Sequence, residues 1–393
     1  MDIRTLTLDD HAAQFRLGAE AFGTPRYPAT PPEAPTSLPQ GRDVWVAVDD
    51  GELVARVVGH TYESWWHGRR VPTCGIAGVT VAPERRGAGL LQPLFEAALG
   101  TAAERGEVLS TLYPTANGIY RSLGYEVVTS LDTVEVATAE LSGVRPPTAT
   151  RTRRARVEDV PAVRALYDRW AAAQNGPLTR TGPRFATTDA ELLDEATAVS
   201  LAVDADDQVV GYATWDRGAD YDPATSVLAV HDLLAASLDG YRALWRMFGS
   251  FSSVAGRARL SSSGHDPARL VLPSATWRVV ARHPYMLRVS DLAGALTVAA
   301  PTLPGLGDIE IDLAVAGDRL GRADGGFRTA TCGRVAVAGD VPTFTAQGLA
   351  LVFAGAQSCA NLRMLDHLAG PDTHDRVLDA LLGGRPLHVR DYF

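Results

Sequence analysis

A chain of 393 residues exceeds what one hydrophobic core usually serves, so two or three domains are expected. The net charge of -9 argues against a nucleic-acid surface. No apolar run is long enough to cross a bilayer and Met1-Asp2-Ile3-Arg4 begins no signal peptide, so a cytoplasmic protein with no membrane partner is expected.

The chain opens with a helical stretch from Asp10 to Ala21, its aspartate suited to N-capping. Val44 to Asp49, an acidic turn at Asp50-Gly51, and Leu53-Val54-Ala55 read as a β-hairpin. His60, Trp65, Trp66 and His67 fall around a further hairpin tip and read as surface or rim residues. Cys74, Cys332 and Cys359 are scattered without metal-ligand spacing, so no metal site is expected and Cys74 reads as core.

Ile76 to Val81 alternates as a strand. Pro83 and the turn Glu84-Arg85-Arg86-Gly87-Ala88-Gly89 follow, then an amphipathic helix carrying Leu90, Leu91, Leu94, Phe95 and Ala98. A strand entering such a turn points several backbone N–H groups at one spot, and the helix start adds unpaired donors and partial positive charge. Gly87 and Gly89 remove side chains that would hold a phosphate off the backbone, while Arg85 and Arg86 supply cationic charge. The outcome is a seat for a pyrophosphate. No Gly-Lys-Ser/Thr closes the turn and Gly-x-Gly-x-x-Gly is absent, which excludes a nucleotide P-loop and a dinucleotide fingerprint.

Downstream, Thr115-Ala116-Asn117-Gly118-Ile119-Tyr120 leads to Leu123-Gly124-Tyr125, and Ser142 to Arg156 reads as a linker. The opening pattern then recurs: a helix from Asp159 to Ala173, a hairpin at Val199 to Asp204 with Val209-Val210-Gly211, a strand at Val227 to Val230, and a helix at Tyr241 to Arg246. This second copy has no Arg-x-x-Gly turn, and reads as a scaffold or a wall of a substrate cleft. His231-Asp232 and His265-Asp266 look like dyads without a nucleophile motif, and Ser261 to Gly264 reads as a plain turn. A third segment begins near Leu287. It has a strand alternating through Ile309, Ile311, Leu313 and Val315, further strands over Phe327 to Val337, helices at Thr345–Phe353 and Asp375–Leu382, and a last strand at Leu387–Val389.

Arg86 to Gly89 after a Val-x-Val strand resembles the coenzyme A loop of the GCN5-related N-acetyltransferases (GNAT). With two such copies, a Leu-Gly-Tyr turn after Tyr120 and a chain closing on Phe393, the sequence resembles the Eis (enhanced intracellular survival) family. The fold class this implies is mixed α+β: GNAT domains at 1–145 and 150–286, the second degenerate, then a sterol-carrier-protein-like α+β domain at 287–393. The resemblance implies an acetyl-CoA-dependent N-acetyltransferase acting on amines such as aminoglycosides or polyamines, and a homo-hexamer.

Acetyl-CoA would then lie along Val79, Thr80 and Val81, the turn Arg85, Arg86, Gly87, Ala88, Gly89, Leu90, Leu91 and Gln92, and Thr115-Ala116. Tyr120 would be the general acid and the Phe393 α-carboxylate the general base. The chain departs from the family pattern at Gly23 to Pro39, which lacks the tryptophan and acidic residue that often line the amine pocket. It departs again at Tyr392 and at Gly370-Pro371-Asp372. The alternative is a non-catalytic acyl-CoA-binding or scaffolding protein.

Overall fold

In the computed structural model, residues 1–23, 30–185, 188–299, 309–337 and 339–393 are described. The expected pocket segment Gly23 to Pro39 therefore lies partly outside them. The first copy runs β1 (Asp2–Thr5), α1 (His11–Phe22), β2 (Arg42–Asp49), β3 (Glu52–Trp66), β4 (Arg69–Val81), α2 (Leu91–Glu104), β5 (Leu109–Leu112), α3 (Asn117–Arg121) and β6 (Glu126–Ala137). The second runs β7 (Arg151–Arg154), α4 (Val160–Ala172), α5 (Asp189–Asp194), β8 (Ala198–Val203), β9 (Val209–Asp216), β10 (Val227–Ala235), α6 (Leu238–Gly249), β11 (Arg257–Ser262) and β12 (Arg278–Val289). The third segment adds α7 (Leu292–Ala299), β13 (Asp312–Val315), β14 (Gly325–Arg328), β15 (Gly333–Val335), β16 (Thr343–Phe344), α8 (Ala346–Ala354), α9 (Cys359–Met364), β17 (Leu368–Ala369) and α10 (Asp375–Leu382).

Twelve strands form one sheet in the order β1-β2-β3-β4-β5-β12-β6-β11-β10-β9-β8-β7. The order is pseudo-symmetric about its centre, and the two copies are joined by a reciprocal exchange. The first copy's last strand, β6, pairs with β11 of the second, and the second copy's last strand, β12, pairs with β5 of the first. β6 and β12 then pair antiparallel with each other. Neither half-sheet is closed without a strand from the other. β12 runs through residues 286 and 287, the expected meeting point of the second and third segments, and continues the shared sheet there.

The repeat extends to the chain entry of each copy, where the expected N-capping is replaced by a different device. Asp10 and Asp159 do not cap α1 and α4. Each instead accepts the backbone N–H three residues earlier, from Thr7 and Arg156, both at 2.8 Å. Each also grips an arginine with both oxygens, Arg4 at 2.7 and 2.9 Å and Arg153 at 2.6 and 2.8 Å. The expected linker ends in structure as well, because Arg151–Arg154 is the edge strand β7 on β8.

The third segment builds a five-stranded sheet, β15-β14-β13-β16-β17, under its helices. Its core is continuous with the first copy: Leu292, Leu296, Phe327, Phe344 and Phe353 share one apolar cluster with Trp66, Val71, Leu109 and Tyr285. A gap inside that core measures about 20 Å³, room for one water and not for an acyl chain. The expected strand at Leu387–Val389 is a single bridge, Leu387 to Asn175, since the tail there packs between domains.

The tip of the β3–β4 hairpin is also buried, contrary to the surface reading. Trp66 and His67 are 0% and 1% exposed, and His60 is 6% exposed. The tip is wedged where all three segments meet: the His67 amide donates to Asn175 Oδ1 at 2.8 Å and its Nε2 lies 3.0 Å from the Phe353 carbonyl. Burial holds His60, His67 and His388 at about 4, against an ordinary 6.5. Between those values the unfolded chain takes up protons that the folded chain refuses. Stability is therefore complete above 6.5 and falls as pH drops toward 4, by up to ~3 kcal/mol per histidine. Denaturant unfolding at pH 7, 6 and 5 should show this loss, with a shallower slope in His67→Gln; equal slopes would contradict the assignment to His67. Among the described residues no helix is long and apolar enough to cross a membrane.

Candidate active site

β4 and β5 pair in parallel from Thr73–Leu109 to Ile76–Leu112, and there the ladder stops. β4 continues to Val81 along β3 alone, so Ala77 to Val81 face an open fork with backbone groups that β5 does not satisfy. A bulge between Arg56 and Val58 of β3 and Ala77 and Thr80 of β4 marks the parting, with Gly78 at φ +54°. Thr80 turns its hydroxyl back onto the Gly78 carbonyl at 3.1 Å and is buried, so it brings backbone, not side chain, to the fork.

Beyond the fork, Pro83–Arg85 makes one 3-10 turn, and Gly87 and Gly89 adopt φ +82° and +76°. A Cβ at either would meet nothing within 4 Å, so these glycines are needed for their dihedrals and leave the turn open. α2 starts directly after, with Leu90 at its N-cap and no side chain capping it. Its first N–H groups and dipole therefore face the exposed turn Arg85 to Gly89. The two arginines do not act alike. Arg85 is held by Asp49 at 2.8 Å, whereas exposed Arg86 has no ion pair among the described residues. Ala88 closes the turn onto the Arg85 carbonyl at 3.3 Å. Leu90 is buried and Leu91 half-buried. Gln92 accepts from Arg319 of the third segment at 2.8 Å.

After β5, Thr115 and Ala116 are exposed before the uncapped start of α3. Tyr120 on α3 is buried against Phe95 and Tyr125. Burial raises its phenol above 10, and a hydrogen bond with Thr115 partly offsets this. Its neighbour Tyr125 is tied to the Ser110 hydroxyl at 2.7 Å, which orders the α3–β6 turn. Cys74 is fully buried, with its thiol pushed far up by burial, as suits core.

Phe393 reaches the base of this fork. Its ring lies 5.1 Å from the Tyr62 ring and 5.5 Å from the Tyr113 ring. It rests on Gly75, where a Cβ would come within 2.9 Å of Phe393 Cε2 and 2.6 Å of Tyr62 Cε2. Gly75 pairs with Thr111 one step before β4 and β5 part, so the last residue sits beside the opening. It also lines a cavity of about 720 Å³ with Tyr62, Tyr167, Arg180, Asp232 and Asp391, whose wall carries Asp168, Glu195 and Asp216. That volume suits a small organic molecule.

The residues around Phe393 include several that the sequence reading missed. Gly75 falls just before the expected strand Ile76 to Val81 and gave no signal of a site, and Tyr62 and Tyr113 gave none. The expected dyads are not dyads. His231 pairs with Asp216 at 2.8 Å, while Asp232 and Asp266 are buried and bind Arg390 at 3.0 and 3.2 Å. Burial opposes ionisation of Asp232, yet Arg180 and Arg390 outweigh it and hold the carboxyl at about 2. The supposed plain turn holds the tail, because Ser263 Oγ accepts the Val389 amide at 2.9 Å.

The second copy repeats the fork without the seat. β10 and β11 part after Val230–Leu260, and β10 bulges between Val230 and Asp232. α6, however, is capped by its own Ser237, whose Oγ accepts from Gly240 at 3.0 Å. Among the described residues no cluster of His, Cys, Asp or Glu fits a metal ion.

Gly75→Ala should lower the unfolding free energy by ~1–3 kcal/mol through overpacking. Phe393→Ala in that background should recover part of the loss in a denaturant titration. No recovery would mean that the ring does not occupy the Gly75 face.

Comparison with known proteins places these features. Residues 2–128 match a family model described as an acetyltransferase (GNAT) domain, and residues 176–289 match a second model with the same description. An uncharacterized N-acetyltransferase of Streptomyces griseus is 28% identical over 267 residues, which cover 62% of this chain and 63% of that protein. The match thus spans under two thirds of this curated relative. A GCN5-related N-acetyltransferase structure from Kribbella flavida is 27% identical, with a TM-score of 0.76 over 100% of this chain and 98% of that one. Eis1 from Mycobacterium abscessus, 22% identical, shares the fold over 100% of both chains with a TM-score of 0.75. The chain therefore belongs to the GNAT N-acetyltransferase superfamily, with two of its domains in tandem.

Proposed function

We propose that this chain is an acetyl-CoA-dependent N-acetyltransferase of the Eis type, acting on amine groups of cationic small molecules of aminoglycoside or polyamine character. One observation carries the reading: β4 parts from β5 between Gly75, on which the Phe393 ring rests, and the uncapped glycine turn that follows the strand. Bound acetyl-CoA would supply the activated acetyl thioester. Gly87 to Gln92, with Arg86, would hold its diphosphate, and Val79, Thr80 and Val81 would pair through backbone groups with its arm. Thr115 and Ala116 would close the opposite side.

In this reading the acceptor enters through the cavity shared by the two copies. Its wall sets Asp168, Glu195, Asp216, Asp232 and Asp391 against Arg164, Arg180, Arg184 and Arg390, so the cationic character of the acceptor rests on the family resemblance. A free α-carboxyl titrates near ~3.5, a feeble base in water, and enclosure between the domains around a bound acceptor would strengthen it by desolvation. The Phe393 carboxylate would first take one proton from the ammonium, freeing the nitrogen lone pair to attack the thioester carbonyl; the second nitrogen proton would leave as the C–S bond breaks, and restore the proton that the Tyr120 phenol gives up. Tyr120 would donate to the departing sulfur, and its raised phenol keeps the proton available until that moment. Holding the two reactants in line contributes as much as either proton transfer. Direct transfer leaves the buried Cys74 outside the chemistry. The third segment reads as a sterol-carrier-like fold serving structure rather than lipid carriage, which the 20 Å³ gap supports. A homo-hexamer remains part of this family reading.

Thiol release from acetyl-CoA against a panel of polyamines and aminoglycosides tests the assignment. Coenzyme binding by calorimetry without transfer to any amine would favour the acyl-CoA-binding or scaffolding alternative. Tyr120→Phe should lower kcat about 10²-fold or more while leaving acetyl-CoA affinity within about twofold. Unchanged kcat would remove Tyr120 from the mechanism. A few residues appended after Phe393 should abolish turnover without loss of coenzyme binding, and an active extended chain would dismiss the carboxylate.

A further inference from the structure

The fork of the second domain is filled. Where β10 and β11 part, the tail enters between them: Val389 is tied to Ser263 beyond β11, and the Arg390 guanidinium donates to Asp232 Oδ1 and the Leu233 carbonyl of β10, at 3.0 and 3.2 Å. Its other nitrogen reaches Asp266 at 3.2 Å. Arg390 is 6% exposed and lies over the Trp170 ring of α4 at 4.6 Å. The next residue is gripped from the opposite side. Arg180 donates to Asp391 at 2.9 Å and to Asp232 at 2.8 Å, and lies over the Tyr167 ring at 3.9 Å. Tyr212 adds a hydrogen bond to Asp232 at 2.6 Å.

This place is equivalent, by the internal repeat, to the fork of the first domain. Two residues beyond Asp391, the Phe393 ring rests on Gly75 at that first fork. The ion network and the ring contact are therefore the two ends of one short strut between the domains.

We propose that the second acetyltransferase domain is a dock for the chain's own tail, in which Asp232, Asp266 and Arg180 are positioning residues that set Phe393 at the first fork. The proposal rests on the reading that the acceptor reacts beside Phe393. Asp266 lies outside the acceptor cavity; Asp232 and Arg180 line it, and their positioning role is exerted through residues 390 and 391. Buried ions of this kind are poor sources of net stability, since desolvation offsets their attraction, but they fix one geometry closely. Each arginine forks between two carboxylates, which a lysine does not reproduce.

The test uses the full chain and two readouts. With 4-fluorophenylalanine at position 393, fluorine NMR should give one buried resonance in the parent. Asp391→Asn and Arg390→Lys should move or broaden it, with Arg390→Lys the milder. A resonance unchanged in both variants overturns the proposal whether or not the protein is an acetyltransferase. In kinetics, Asp391→Asn should lower kcat/KM for the amine about 10- to 100-fold while the calorimetric Kd for acetyl-CoA stays within about twofold. The double variant Asp391→Asn/Phe393→Ala should be no slower than Phe393→Ala alone. Multiplied losses would show that Asp391 acts elsewhere. Calorimetry should find one coenzyme A per chain, and two would mean that the second fork is a coenzyme slot. A parent that binds no coenzyme overturns the function proposed above and leaves the fluorine readout to decide the dock.

Discussion

The arrangement depends on one constraint: the parting of a parallel strand pair after a few residues. At Ile76 and Leu112 the backbone of β4 loses its partner on one side, and the exposed polar groups need another. The same parting occurs at Val230 and Leu260. The first domain keeps its fork open and places an uncapped helix beside it. The second fills its fork with the tail and caps its helix with Ser237. One geometric event, used twice, accounts for an apparent site in one domain and an apparent anchor in the other.

The reciprocal strand exchange explains how two such domains remain in fixed relation. β6 and β12 each complete the other copy's sheet, so separating the copies would break backbone ladders on both sides of the centre. The third segment adds to this through a core that runs into β4, β5 and β12, and through the buried Arg288–Asp318 pair at 2.6 Å. The chain contains no lysine, so every side-chain cation in these contacts other than histidine is a guanidinium able to bridge two acceptors.

Much of this was legible in the residues because local chemistry decided it. The glycine turn was readable since its φ values demand glycine, and the repeat was readable since each copy runs an apolar strand into an acidic hairpin turn. What escaped was decided by distant partners. Trp66 and His67 look like an exposed tip until Asn175 and Phe353 close over them. Asp232 looks like the partner of His231, and becomes an ion-pair centre only because residues 390 and 180 arrive from elsewhere in the chain. Gly75 carries no turn or φ signal, and its need for glycine exists only because an aromatic ring more than 300 residues later lies on it. Strand exchange is likewise invisible locally, because β6 and β12 have the same pattern whichever neighbour they pair with.

A crystal structure with coenzyme A bound decides between an open first fork and an anchoring second one. One molecule per chain is expected, its diphosphate at the start of α2 against Gly87 to Leu91 and its thiol in the β4–β5 fork beside Phe393, with the β10–β11 fork still holding residues 389 to 391. Coenzyme density at the second fork, or a glycine turn left empty while the ligand binds elsewhere, would contradict it.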